Sequence, residues 1–216
     1  MQALTGGEGS VMPSKIQRTK QCHSLRIEYA GQGVNSFPIE PSDLLPGWHR
    51  DFEISDKTTL EQLSSTILQI LAWDRDHLYE FRIGDRIHGY FGEDEQFVDA
   101  TAPCVSCDIP MHLLGLAPSD SFAYVFDFGD YHTFRVTVLD VQPLPSGKKV
   151  PTLLSYKGKN IVQYPGEMSK REARTFEQKP PAIGPLEPRG NSWRIRFVRA
   201  ADREILTEWR KSKDKT

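Results

Sequence analysis

Four groups of residues are of types, and at spacings, that could do chemistry. The first surrounds His77. Asp74 precedes it by three residues and Asp76 by one. From 74 to 100 eight acids (Asp74, Asp76, Glu80, Asp85, Glu93, Asp94, Glu95, Asp99) stand against Arg75, Arg82 and Arg86. An oxygen-rich cluster with one imidazole can hold magnesium or manganese for phosphoester hydrolysis. The plainer reading is a solvated acidic loop in which His77 ties a helix end to the following strand, and it is preferred. The second group is Asp127-Phe128-Gly129-Asp130. Its first three letters match the kinase metal-binding triplet. The sequence has no Gly-rich phosphate loop, no His-Arg-Asp segment and no strand lysine in Val-Ala-Ile-Lys context. The tetrapeptide is therefore read as a hairpin turn, with Gly129 supplying a positive φ and Asp127 and Asp130 bonding turn amides. Together, His77, Asp74, Asp127 and Asp130 would form the centre of a metal-dependent phosphoesterase, the alternative reading.

The third group is Cys104-Val-Ser-Cys107. The spacing suits a metal, but a structural zinc needs four ligands. There is no second Cys-x-x-Cys, so Cys22-His23 or His112 would have to complete the set. Two thiols in a loop explain the same residues, and no nearby basic residue lowers their pKa. No metal and no cofactor are expected. The fourth group is basic: Arg194, Arg196, Arg199, Arg203, Arg210, Lys211, Lys213 and Lys215, against Asp202, Glu204, Glu208 and Asp214. Arginines on one side of a strand, followed by a helix with a basic end, can track phosphates or an acidic protein surface. Arg194, Arg196, Arg199 and Arg203 are the candidate partner-binding residues.

Composition bounds these readings. The chain has 216 residues with 27 Lys and Arg against 29 Asp and Glu, a formal net charge of −2. That excludes a bulk polycation and a strongly charged disordered chain. Three cysteines exclude a disulfide-stapled scaffold. The sequence carries no membrane-length apolar run and no secretory leader, so a cytoplasmic protein is expected.

The elements that must position these groups are legible as periodicities. Leu25, Ile27 and Tyr29 alternate with Arg26 and Glu28 in a first strand, Cys22 to Ala30. A proline-rich loop leads to a second, Trp48 to Ile54. Leu60, Leu63, Ile67, Ile70 and Leu71 recur at helical spacing behind two overlapping capping pairs, Thr58/Glu61 and Thr59/Gln62, so a helix is predicted to run to about Trp73. Two hairpins follow: 78–83 with 86–91 around Gly84-Asp85, and 122–127 with 132–141 around the Asp127–Asp130 turn. Between them, 92–121 reads as acidic and irregular, with a short helical turn at Met111 to Leu116. A last strand is predicted near Thr152 to Tyr156. The order lacks regular strand–helix alternation, which predicts an α+β fold: a mostly antiparallel sheet with one main helix across it, β-grasp-like at its start. The expected organisation is a disordered leader (1–21), a domain (22–165), a Pro-rich linker (166–190) and a strand–helix extension (191–216).

Three of these stretches resemble one known family. Trp73-Asp74-Arg75-Asp76-His77-Leu78-Tyr79-Glu80-Phe81 is similar to its Trp-Asp-x-x-His-Leu-x-x-Phe signature. Tyr124-Val125-Phe126-Asp127-Phe128-Gly129-Asp130 is similar to its Tyr-x-Tyr-Asp-Phe-Gly-Asp signature. Pro46-Gly47-Trp48-His49-Arg50 stands where the family has Pro-x-Trp-Arg-Arg. The family is the plasmid pRiA4b Orf-3-like domain, also met under a transposon-resolvase label, and the resemblance covers about 22–165. It implies an α+β, β-grasp-like fold with added strands and brings no established activity. The chain departs from it twice. Tyr131-His132-Thr133-Phe134 replaces Asp-Trp-x-His, and Lys159 to Pro165 replaces a Cys-Pro-Pro-Glu-Asp stretch. The functional expectation is a non-enzymatic binding or scaffold domain, linked to a mobile element, that meets a nucleic-acid or protein partner through its acidic 74–100 surface or its basic C-terminal segment.

Overall fold

The computed structural model describes residues 19–75, 77–89, 104–105, 107–179 and 181–186. Most of the 1–21 leader, the acidic stretch 90–103 and the extension 191–216 lie outside the described residues. The strands are β1 (Gln21–Gln32), β2 (His49–Ser55), β3 (Tyr79–Ile83), β4 (Arg86–Gly89), β5 (Cys104–Val105), β6 (Ser121–Phe126), β7 (His132–Pro143), β8 (Thr152–Lys157) and β9 (Gly184–Pro185). The helices are α1 (Leu60–Leu71) and α2 (Lys170–Gln178). The strands form one sheet in the order β5-β4-β3-β6-β7-β1-β2-β8-β9. Neighbours run antiparallel except β4 and β5, which are parallel. The fold is α+β and mostly sheet, as the patterning predicts.

Of the two candidate caps for α1, the chain uses Thr59 and Gln62. Thr59 Oγ1 accepts from the Gln62 amide at 3.2 Å, and Gln62 Oε1 accepts from the Thr59 amide at 3.0 Å. The 107–111 loop takes up the next amides: Leu60 N–H donates to Ile109 O and Glu61 N–H to Cys107 O. The first turn of α1 is thus satisfied by the protein itself. The helix ends at Ala72, in the left-handed region at φ 56°.

The face of α1 carrying Leu60, Leu63, Ile67, Ile70 and Leu71 is buried against one side of the sheet. There the register aligns an aromatic row across four strands. Phe81 lies opposite Tyr124, Tyr124 opposite Phe134, and Phe134 opposite Tyr29. Phe81, Tyr124 and Phe134 are fully buried and Tyr29 partly so; fully burying a large apolar side chain is worth roughly 1.5–3 kcal/mol. The Tyr124 hydroxyl facing the helix is met, because Ser64 Oγ and Tyr124 Oη are 2.8 Å apart.

Alternation puts charged residues on the other side of the sheet. Arg135 pairs with Glu28 at 2.8 Å, Arg26 with Asp51 at 2.7 Å, and Lys148 with Glu53 at 2.6 Å. Asp51 also accepts from Ser155 Oγ, and these hydrogen bonds hold its carboxyl below the usual range against the opposing effect of burial.

Residues 170–178, inside the stretch read from its prolines as a linker, are helical. Ser169 and Glu172 cap α2 reciprocally, yet none of its residues is buried. Among the described residues no helix is long and apolar enough to cross a membrane.

Candidate functional site

The two signature motifs converge. After Ala72 turns the chain out of α1, the Trp73 amide returns to Leu68 O at 2.9 Å. That drives the indole inward, where Trp73 is buried and its Nε1–H donates to Ile161 O at 2.7 Å. The chain then enters β3, and Leu78 O accepts from the Asp127 amide at 2.9 Å. This bond locks the 73–78 segment to the end of β6.

Asp127 heads the β6–β7 turn in the left-handed region, φ 60°, as does Tyr131 at φ 55°. The sequence reading assigned the positive φ to Gly129; the structure places it on these two flanking residues. Gly129 serves by being small, since a β-carbon there would sit 3.2 Å from Asp127 Oδ1. Asp127 Oδ1 accepts from the Gly129 amide at 2.9 Å and the Asp130 amide at 3.3 Å. Short polar side chains favour the left-handed region because they can bond the local backbone in this way.

His77 Nε2 stands 3.6 Å from Asp127 Oδ2. That is too long for a hydrogen bond but within reach of a charge contact when the ring is protonated. The His77 ring also meets Phe126 and Tyr164 edge-on, at 6.2 and 5.8 Å between centroids. Its side chain is 44% exposed, whereas that of Asp127 is 6% exposed. Tyr164 Oη donates to Asp127 Oδ2 at 3.4 Å. The turn carboxylate is buried and engaged on both oxygens, with a solvent-reachable imidazole beside it.

Beneath lies His132, the first residue of β7 and 1% exposed. Its Nδ1 is 3.0 Å from Tyr29 Oη, and its ring lies 4.5 Å from the Trp73 ring. Burial holds the His132 pKa below the ordinary imidazole value, although Asp130, Asp127 and a hydrogen bond to the Gln163 backbone pull the other way. Burial likewise pushes the Tyr29 phenol up to about 12. Over the cluster runs the 161–164 segment. Gln163 uses its amide side chain as a backbone mimic, accepting from the Asp74 amide at 2.7 Å and donating to Asp74 O at 3.2 Å.

The structure thus brings His77 and Asp127 together, joins Asp130 to Asp127 through its amide, and leaves the Asp74 and Asp130 residues exposed. Among the described residues, no three His, Cys, Asp or Glu side chains gather as a metal ligand set. Cys104 lies in β5, and Cys107 is half-buried in the loop that caps α1. Arg194, Arg196, Arg199 and Arg203 fall outside the described residues. Sequence reasoning passed over Tyr29, His132 and Gln163 as members of this cluster. A histidine opening a strand directly after a turn was an available signal for His132; nothing local marks Gln163.

Residues 37–168 match the sequence profile of the plasmid pRiA4b ORF-3-like protein family. The chain belongs to that family. The matched span takes in both motifs, the turn and the 161–164 segment, and of the cluster only Tyr29 precedes it. Among solved structures, a protein of unknown function from Methanosarcina mazei Go1 is similar at a TM-score of 0.51 and 18% identity, over 67% of this chain and 74% of that one. At that identity the likeness concerns the fold. No curated protein matches the sequence.

Proposed function

We propose that this member of the pRiA4b ORF-3-like family is a non-enzymatic binding domain, cytoplasmic and linked to a mobile element. It would engage nucleic acid or an acidic protein through Arg194, Arg196, Arg199 and Arg203. The observation that supports it best is how Asp127 is used. One oxygen accepts two turn amides and the other faces Tyr164 and His77. A carboxylate spent in this way shapes a turn, whereas a general base or metal ligand needs a lone pair directed at substrate or ion. The antiparallel β1–β2 pair followed by α1 supports a β-grasp-like description of the first half of the domain.

The test is fluorescence anisotropy of the full chain with a short DNA duplex at several salt concentrations. Binding that weakens steeply with salt, and weakens further when the four arginines are changed to alanine, is the expected result. Salt-independent or absent binding removes nucleic acid from the reading and leaves a protein partner, to be sought with acidic peptides.

The second reading, a metal-dependent phosphoesterase centred on His77, Asp74, Asp127 and Asp130, is favoured by the exposed imidazole beside a buried carboxylate. Manganese-dependent hydrolysis of bis(p-nitrophenyl) phosphate that disappears in His77→Ala would establish it in place of the first.

A further inference from the structure

A second feature lies away from the motif cluster, where β2, β8 and α2 meet. Arg50 is fully buried, with its guanidinium 4.4 Å from the Trp48 ring centroid and 5.4 Å from that of Tyr156. Its terminal nitrogens donate to carbonyl oxygens: Nη1 to His49 O and Lys157 O, at 2.9 and 2.7 Å, and Nη2 to Lys159 O at 3.2 Å. Nη2 also donates to Asn160 Oδ1 at 3.2 Å, and Nε has no acceptor among the described residues. No carboxylate among the described residues lies within ion-pair distance of it. Neutral oxygens satisfy its hydrogens but leave its charge uncompensated, and a buried charge without a counter-ion is ordinarily costly.

The Asn160 oriented by Arg50 also holds the end of α2. Its Nδ2 donates to Phe176 O at 3.1 Å and Lys179 O at 2.5 Å, and its amide donates to Glu177 O at 3.1 Å. A groove of about 320 Å³ lies between the 156–160 turn and this helix end, lined by Tyr156, Gly158, Lys159, Asn160, Glu177 and Lys179 among others. That volume is at the lower end of the roughly 300–1,000 Å³ typical of small-molecule sites. Lys159 and Lys179 add two cations to the buried one against Glu177 alone. The Lys159–Glu177 contact, 3.7 Å with Lys159 71% exposed, is weak enough to open.

We propose that this groove binds a small oxyanion, carboxylate or phosphate. Lys159 and Lys179 would contact it, and Arg50 would supply the uncompensated positive charge beneath through Asn160. The Trp48 and Tyr156 rings flank the guanidinium, whose full burial behind the 156–160 turn keeps water from screening it directly. This inference is independent of the macromolecular partner proposed above, because it uses none of the C-terminal arginines.

The experiment is an amide-resolved NMR titration of the full chain, with succinate and separately with inorganic phosphate. Saturable shifts centred on Gly158, Lys159, Asn160 and 177–179 are expected. The Lys159→Ala/Lys179→Ala double variant, which alters only exposed residues, should weaken binding about tenfold, as for lost charged hydrogen bonds. Tighter binding of phosphate would identify a phosphoryl ligand, and tighter binding of succinate a carboxylate. The absence of saturation with either anion overturns the proposal. So do shifts that scatter over other lysines or persist unchanged in the double variant.

Discussion

The His132 imidazole packs tilted against the Trp73 indole, 4.5 Å between centroids, and each ring holds a different part of the fold: His132 bonds Tyr29 of β1, and Trp73 bonds Ile161. The pair is where the end of α1, β1, β7 and the 161–164 segment are joined. Its stability should therefore register both the protonation of one ring and the loss of the other.

Burial keeps His132 below its ordinary pKa, so the fold prefers the neutral ring. An unfolded histidine titrates near about 6.5. The stabilisation is present above that pH and is lost as pH falls through the lower folded-state value. Urea unfolding from about pH 8 to about pH 5 should show a steeper loss of stability for the parent than for His132→Phe. His49, also held low by burial, is common to both proteins and cancels in the comparison. Parallel pH profiles would show that His132 carries no linked proton.

Trp73→Ala should cost about 3–5 kcal/mol, the usual range for emptying a buried indole site. Trp73→Phe retains much of the packing on Phe126, Phe134 and His132 but leaves Ile161 O without its donor. It should cost about 1–3 kcal/mol. Denaturant midpoints check both, and equal costs would assign the effect to the hydrogen bond alone.

The elements with strong local periodicity were legible. α1 has five apolar residues on one face, and both hairpins alternate around turn residues. The two motifs each mix aromatics with short polar groups that need one another when buried, and in the structure they meet. α2 was missed because its apolar side is short, with Phe176 half-buried on the core and no residue fully so: the Ser169/Glu172 pair marked it, and the surrounding prolines outweighed that signal. β5 and β9, two residues each, are defined by the strands they pair with and leave no pattern. Gln163 reaches Asp74 across 89 positions of sequence, and such a partner is set by tertiary geometry alone.

The choice of Thr59 over Thr58 as the cap of α1 is checked by paired substitutions. Thr59→Ala removes the acceptor for the Gln62 amide and should cost about 1 kcal/mol. Thr58 engages its neighbours through its backbone, donating to Ser55 O and accepting from Met111 N–H. Thr58→Ala should therefore stay within about 0.5 kcal/mol of the parent. A larger loss at Thr58 would move the helix start.

Ser169→Ala should loosen α2 without melting the sheet, since α2 buries no residue. Hydrogen exchange at 170–178 should quicken while exchange in β1 and β7 is unchanged. Faster exchange throughout would mean that α2 is part of the cooperative core.

Asp127 separates turn shape from charge. Asp127→Asn keeps a side-chain oxygen for the Gly129 and Asp130 amides and tolerates φ 60°. It loses only the charge beside a half-exposed His77, and should cost less than about 1 kcal/mol. Asp127→Ala gives up the acceptor and places a residue without local bonding in the left-handed region, for which about 2–3 kcal/mol is expected. Thermal melts of the two variants decide between the roles. If Asn is as damaging as Ala, the negative charge facing His77 is the property that matters, and the phosphoesterase reading gains ground at the expense of the binding domain.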